Sequence, residues 1–397
     1  MKIAHITLYP PRGAKHVEGS GVISYSKNLV ASMVGQGHDV SVLCDIQGQP
    51  ESYTEDGATI YRCFSRTNGG MVQLHKQLKK LRPDIIHIQQ ELALFGGIST
   101  AYLLQWLVFA WRKKTVVTLH GVVDPTTIDT QFVRENNANL PVPLVKAAFH
   151  IIYGPLARWA KHIIVHDQYF KDILVRHYGI PSQKVSVVPH GIEDLKPLPT
   201  KITRKRLALP PNAHVALFMG YATGYKGIDL LIEGFALYAK TDKDAFLLLG
   251  AGPHPKLHND ARYQAEYARL QQKAKKSIPS SQYRWVGFIP ENDIRQYYSA
   301  ADVSLSPYTT ALASSGPMSI AIGYEKPFLA SAAFKEVFAT TPELLFERTP
   351  QALATKLTAF FNAPTTYQII SRELKAQQIW PSIGTRTLDV YSQMDTA

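Results

Sequence analysis

The chain has 397 residues, 45% of them apolar, enough for two or three domains with real cores, which excludes a disordered or fibrous class. Two cysteines, Cys44 and Cys63, exclude a disulfide framework and a cysteine-based metal site, and read as two buried thiols in a reducing compartment. The formal charge of +12 and pI near 9.4 favour an acidic partner, whether nucleic acid, anionic lipid or a phosphorylated small molecule.

In chain order, MKIAHITLYPP carries one lysine and a short apolar segment, the pattern of a first β-strand (2–8) rather than an export signal, so a cytoplasmic location is expected. Further strands are expected at 39–45, 58–64, 84–89, 114–120 and 162–167. Helices are expected between them at 22–37, ending on a glycine, and at 71–83, stopping at a proline. The longest apolar run, 101–111, is too short for the roughly 20 residues of a bilayer span and reads as a buried helix. Its Trp106, Phe109 and Trp111, beside Arg112, Lys113 and Lys114, also suit a membrane surface.

The proline-dotted stretch 185–199 reads as an interdomain linker. Beyond it a second series begins, with strands at 214–221, 245–252, 283–289 and 303–308, helices at 228–240 and 291–302, and an amphipathic terminal segment over 372–394. Strands alternating with helices predict an α/β fold of βαβ units and parallel sheets. The expected architecture is two doubly wound, Rossmann-like domains facing across a cleft, over 1–190 and 191–375, with 376–397 a helical segment packing back on the first. Such sheets bind ligands beyond the carboxyl ends of their strands.

Four stretches carry chemistry. Gly19, Ser20 and Gly21 follow the first strand and open a helix, where small residues let an anion approach the backbone N–H groups and the helix start adds partial positive charge. In TLHG, His120 and Gly121 end a buried strand, a position from which a side chain reaches a ligand. His87, His162 and His166 are less promising, since alternation along strands makes no metal-binding pattern. In GYATGYKGIDLL, Lys226 stands before an amphipathic helix, which suits a diphosphate. In ALASSGPMS, Ser314, Ser315 and Gly316 open a helix with Pro317 in its first turn and present hydroxyls and N–H groups to a phosphate. Basic residues are scattered and no aromatic RNA-binding motif occurs, which argues against nucleic acid as the partner.

In this order the pieces resemble the retaining GT-B glycosyltransferases of the family 4 type. The matching stretches are the glycine loop with Gly19 and Gly21, RPDIIHIQ, TLHG, HIIVHDQYFKDIL, VVPHGIE, YKGIDLLIEGF, LLLGAGP, VGFIPENDI, YYSAADVSLSP and EKPFLAS, and they cover nearly the whole chain. The resemblance implies a nucleotide-sugar donor held by the C-terminal domain and an acceptor held by the N-terminal one. It implies sugar transfer with retention of configuration, without metal or other cofactor. His120 and Lys226 become the catalytic candidates, His120 touching the donor sugar and Lys226 the diphosphate. Gly19, Ser20, Gly21, Ser314, Ser315 and Gly316 join Lys226 around the phosphates, and Tyr221, Gly121 and Pro317 are candidate substrate contacts.

Two departures stand out. Tyr221 occupies the place of the family's usual arginine, and the family's two glutamates, eight positions apart, fall on Leu312 and Ile320. The YKG segment with an SSGP loop in place of the glutamate pair resembles one branch of the family. The expectation is an active hexosyltransferase of glycan biosynthesis at the cell envelope, with a glycan or lipid-linked acceptor and a cytoplasmic location, peripheral on the inner face of the plasma membrane. The alternatives are a noncatalytic GT-B subunit binding a partner glycosyltransferase, and a GT-B sugar-nucleotide epimerase.

Overall fold

Short runs of β-branched and apolar residues form the strands, and helices cover their faces. The computed structural model describes residues 1–14, 21–91, 94–135, 140–255, 257, 259–310 and 315–395. Contacts divide the chain into two units, Met1–Gly191 with Trp380–Ala397, and Ile192–Ile379.

The first unit holds β1 (Lys2–Ile6), β2 (Asp39–Asp45), β3 (Glu51–Glu55), β4 (Ala58–Phe64), β5 (Ile85–Gln90), β6 (Thr115–Leu119), β7 (His162–Val165) and β8 (Val185–Val187). They form one sheet in the order β3-β4-β2-β1-β5-β6-β7-β8. All pairs are parallel except β3 with β4. That hairpin turns through Asp56 and Gly57, both at positive φ (49° and 80°), the geometry that suits a two-residue connection. β8 corrects the reading of 185–199 as linker throughout, because Val185–Val187 pairs with β7 and closes the sheet. Of the two thiols expected inside, Cys44 is buried and Cys63 only partly so.

The apolar run read as a buried helix is the helix Ile98–Ala110, which lies against the helix Val142–Trp159. The second helix contains Pro155, which has no N–H for the carbonyl of Ile151 four residues earlier. Gln105 of the first helix supplies the missing donor, its Nε2 reaching Ile151 O at 2.7 Å and Ile152 O at 3.3 Å. Gln105→Ala is therefore expected to leave a part-buried carbonyl without its donor and to destabilise the unit by about 1 kcal/mol, measured by denaturant unfolding. The burial expectation holds for one face only: Leu104, Leu107 and Val108 are buried, whereas Tyr102, Trp106 and Phe109 are 44–45% exposed.

The second unit holds β9 (His214–Tyr221), β10 (Ala245–Gly252), β11 (Tyr283–Trp285), β12 (Val303–Ser306), β13 (Phe328–Ser331) and β14 (Leu345–Phe346), all parallel in the order β11-β10-β9-β12-β13-β14. β10 is buried at all eight positions, as a central strand covered on both faces must be. The sheet winds outward in opposite senses from β9, so the loops after β9 and β12 lie side by side at a topological switch point. The amphipathic terminal segment breaks at Ile379 into the helices Pro364–Gln378 and Trp380–Asp395. The last helix belongs to the first unit, where it packs on the helix Gly21–Gly35, with Ser32 Oγ donating to Trp380 O at 2.8 Å.

Candidate active site

In the second unit the loop after β9 makes a short 3-10 turn, Gly224–Lys226, and enters the helix Ile228–Ala239 through Gly227 at φ +67°. Thr309 N–H donates to Tyr225 O at 2.7 Å, which joins this loop to the one after β12. Lys226 is carried inward and is 8% exposed. Its Nζ donates to the Tyr308 hydroxyl at 2.5 Å and lies 3.9 Å from the Tyr308 ring centroid. Tyr308 OH in turn meets Ser315 Oγ at 2.9 Å. Ser315 is the N-cap of the helix Gly316–Gly323, whose first turn contains Pro317, and its hydroxyl makes no capping bond. A buried cation, two hydroxyls and a helix N-terminus thus converge at the carboxyl end of the sheet, a combination that receives an anion.

Among the described residues no carboxylate lies within ion-pair distance of Lys226, and burial pulls its pKa down to about 8. The amine is therefore charged below that pH and neutral above it. Affinity for a nucleoside diphosphate is expected to fall as pH rises past about 8, by up to about tenfold per unit, while Lys226→Arg removes the fall; calorimetric titration across that range checks both. The folded pKa lies below the ordinary 10.5, so between about 8 and 10.5 the unfolded chain binds more protons and this group's contribution to stability rises with pH.

The other expected residues of this unit are placed as follows. Gly316 begins the helix, and Pro317 O accepts from the Tyr298 hydroxyl at 2.8 Å. Tyr221 ends β9, its ring parallel to Phe288 at 6.0 Å and edge-on to His254 at 5.2 Å. Ile320 packs half-buried against the apolar core. Ser314 and Leu312 lie outside the described residues, as do Gly19 and Ser20 of the first unit. Tyr308 was not expected; it follows β12 by two residues and reaches Lys226 only because β12 lies beside β9.

In the first unit, Gly21 opens the helix Gly21–Gly35, and His120 and Gly121 follow β6. Gly121 O accepts from the Tyr153 hydroxyl at 3.3 Å. His120 has protein partners at both ring nitrogens, His166 Nε2 at 3.1 Å from Nδ1 and Gln89 Oε1 at 2.8 Å from Nε2. Its ring also stands edge-on to Tyr25, which touches His166 and His190 as well. Burial, and after it the neighbouring histidines, hold the His120 pKa well below its ordinary value. His166 is lowered to about 3 by burial first and His190 second. These imidazoles are neutral at physiological pH. His87 and His166, set aside on sequence, stand in the same cluster.

Two family models match the chain, Glycosyltransferase Family 4 over residues 19–194 and Glycosyl transferases group 1 over residues 199–375. The mannosylfructose-phosphate synthase of Agrobacterium fabrum is 26% identical over 33% of this chain and 29% of its own length. The UDP-Gal:alpha-D-GlcNAc-diphosphoundecaprenol alpha-1,3-galactosyltransferase of Escherichia coli is 24% identical over 66% of this chain and 64% of its own. The match thus spans under a third of the first relative and just under two thirds of the second. An uncharacterised glycosyltransferase of Methanocaldococcus jannaschii is 22% identical over 77% and 74%. Among solved structures, the sucrose-phosphate synthase of Thermosynechococcus elongatus has a TM-score of 0.69 at 18% identity, covering 100% of this chain and 99% of that one. Anabaena HepE, solved in complex with UDP, has a TM-score of 0.67 at 15% identity, covering 99% and 100%. At these identities the solved structures speak for the fold.

Proposed function

The chain belongs to the family 4 glycosyltransferases and has the GT-B fold, and from that premise we propose that it transfers a hexose from a nucleotide-diphosphate sugar to a glycan or lipid-linked acceptor, with retention and without a metal. The observation that carries the reading is Lys226, a buried cation hydrogen-bonded to Tyr308 beside Ser315 and the start of the helix Gly316–Gly323. Charge develops on the diphosphate as the glycosidic bond to it breaks, and a preorganised cation with hydroxyl donors stabilises that charge. In this reading the departing phosphate oxygen takes the acceptor proton, so the reaction runs without the carboxylates replaced at Leu312 and Ile320. The test is a thermal-shift screen against UDP, GDP, dTDP and ADP and their sugar conjugates. Turnover by the stabilising donor is then followed with and without EDTA, and NMR reads the anomeric configuration of the product. No stabilisation by any of these, inversion, or loss of turnover with EDTA would each sink the corresponding part.

A membrane-side acceptor is part of the proposal. Tyr102, Trp106 and Phe109 recur at i, i+4 and i+7 on the outer face of Ile98–Ala110, and Leu144 and Ile151 extend that face on Val142–Trp159. Trp111, counted with them on sequence, instead turns inward and donates to His75 Nδ1 at 3.2 Å. Arg112, Lys113, Lys114 and Arg158 are exposed at the ends of these helices, and neither helix contains a carboxylate. An apolar aromatic face with a rim of one sign suits anionic lipid and disfavours self-pairing. No described helix is long and apolar enough to cross a membrane, so the contact proposed is peripheral, at the cytoplasmic face. The protein is expected to sediment with phosphatidylglycerol vesicles, less so at high salt and less after Trp106→Ser with Phe109→Ser. Equal binding to phosphatidylcholine, or none to either, removes the membrane face from the reading.

A further inference from the structure

The hydrogen bonds around His120 continue through β5 to the last helix of the chain. Gln89 Nε2 lies over the His87 ring, 3.1 Å from Nε2 and 3.5 Å from Nδ1, while in the ring plane His87 Nε2 lies 2.7 Å from Thr118 Oγ1 and the Tyr391 hydroxyl lies 2.6 Å from His87 Nδ1. At the other end, His166 Nδ1 lies 3.1 Å from Val188 O. His87, Gln89 and Tyr391 are wholly buried.

Donor and acceptor accounting gives this chain a direction. A carbonyl only accepts, so His166 carries a proton on Nδ1 and, being neutral, offers a lone pair at Nε2. His120 must then donate from Nδ1, which leaves its own Nε2 as an acceptor. An acceptor there cannot face a carboxamide oxygen. With Gln89 Oε1 at that position, His120 Nε2 would have to donate and His166 would have to be protonated at both nitrogens. Burial opposes an imidazolium there, since it holds His166 down to about 3. Turning the Gln89 carboxamide by 180° exchanges its two ends in place and removes the conflict. Gln89 Nε2–H then donates to His120 Nε2, His120 Nδ1–H to His166 Nε2, and His166 Nδ1–H to Val188 O, while the other end of the Gln89 amide rests over the His87 ring, whose two nitrogens meet Tyr391 and Thr118. In this arrangement His120 and His166 are both neutral, and each ring N–H has an acceptor.

We propose that His166 and Gln89 are positioning residues that fix His120 as the Nδ1–H tautomer, with its Nε2 set to accept a hydrogen bond, and that His87, held by Tyr391, seats the Gln89 amide. The functional part rests on the transferase reading: a substrate hydroxyl that displaces the Gln89 amide donates to His120 Nε2 and does not accept from it. The helix Trp380–Asp395, far from β6 in sequence, thereby acts on the candidate site through the Tyr391 hydroxyl.

The deciding measurement is two-bond ¹H–¹⁵N NMR of [¹⁵N]histidine-labelled protein without substrate at neutral pH, with the His120 signals assigned by their loss in His120→Gln. Wild type is expected to show His120 protonated at Nδ1 and bare at Nε2. In Gln89→Glu the carboxylate only accepts, so His120 is expected to move its proton to Nε2 or His166 to become charged. Tyr391→Phe is expected to mix the His87 tautomers, to shift the His120 signals, and to lower kcat more than it changes KM. A wild-type His120 protonated at Nε2 or at both nitrogens overturns the proposal, as do His120 signals indifferent to Gln89→Glu. His120 signals unmoved in Tyr391→Phe overturn the role of the last helix. The NMR result is independent of turnover, so a failed tautomer leaves the transferase reading standing, and absent turnover leaves the tautomer standing.

Discussion

Lys226→Met is expected to lower turnover of a nucleotide-diphosphate sugar by about 10²–10³-fold, the effect of removing a preorganised donor from a developing anion. The methionine fills much of the space of the lysine stem, so the fold is retained and the loss reports the ammonium. The partner group is Tyr308, which holds Nζ at 2.5 Å and carries the contact on to Ser315. Tyr308→Phe keeps the ring beneath the ammonium and removes the hydroxyl, so a smaller loss is expected from it. Steady-state kinetics with a saturating acceptor, together with nucleotide diphosphate affinity by calorimetry, separates the parts. A fall in affinity with kcat preserved would make Lys226 a binding residue only. No change in either would remove it from the site, and the proposed function with it.

Gly227→Val is expected to have the largest effect on stability. Gly227 sits at φ +67°, and a Cβ there would lie 1.9 Å from the carbonyl oxygen of Pro307. A β-branched residue meets both costs, the left-handed backbone and a collision with main chain that has no free rotamer into which to yield. The loops after β9 and β12 must separate, so a loss of about 3 kcal/mol or more is expected, with loss of nucleotide-dependent stabilisation. Thermal melting with and without the nucleotide diphosphate reads both. A melting temperature within about 1 °C of wild type would show that the close approach of the loops does not hold the site together.

Much of the fold was legible because burial on both faces leaves a strong local mark. β10 is an unbroken apolar run, and β2, β4 and β9 lie where alternation and β-branching placed them. The misses have local causes too. β3 reads ESYTE, polar because it is an edge strand with one side in solvent, although the Asp56–Gly57 turn that pairs it with β4 was available as a signal. β8 is three residues followed by prolines, too short for periodicity to separate from linker.

The same division runs through the candidate site. Lys226 and His120 were found because each follows a strand and a glycine neighbours each, a local grammar that survives without coordinates. Tyr308 was missed because its role depends on β12 lying beside β9, which is a matter of strand order. His87 and His166 were set aside because alternation along strands makes no metal-binding pattern, and their shared cluster depends on which strands are neighbours.

What the amino-acid sequence by itself determined is the succession of parallel βα units, the family, and the places of the two leading site candidates at strand ends, because strand burial, helix starts and glycine turns are written in neighbouring residues. What only the tertiary structure decided is which side chains share an environment. Lys226 meets Tyr308 across 82 residues and Tyr391 meets His87 across 304. Hydrogen bonds of that kind are set by sheet order and by where the last helix docks, and burial then sets the protonation states, so no window along the chain contains them.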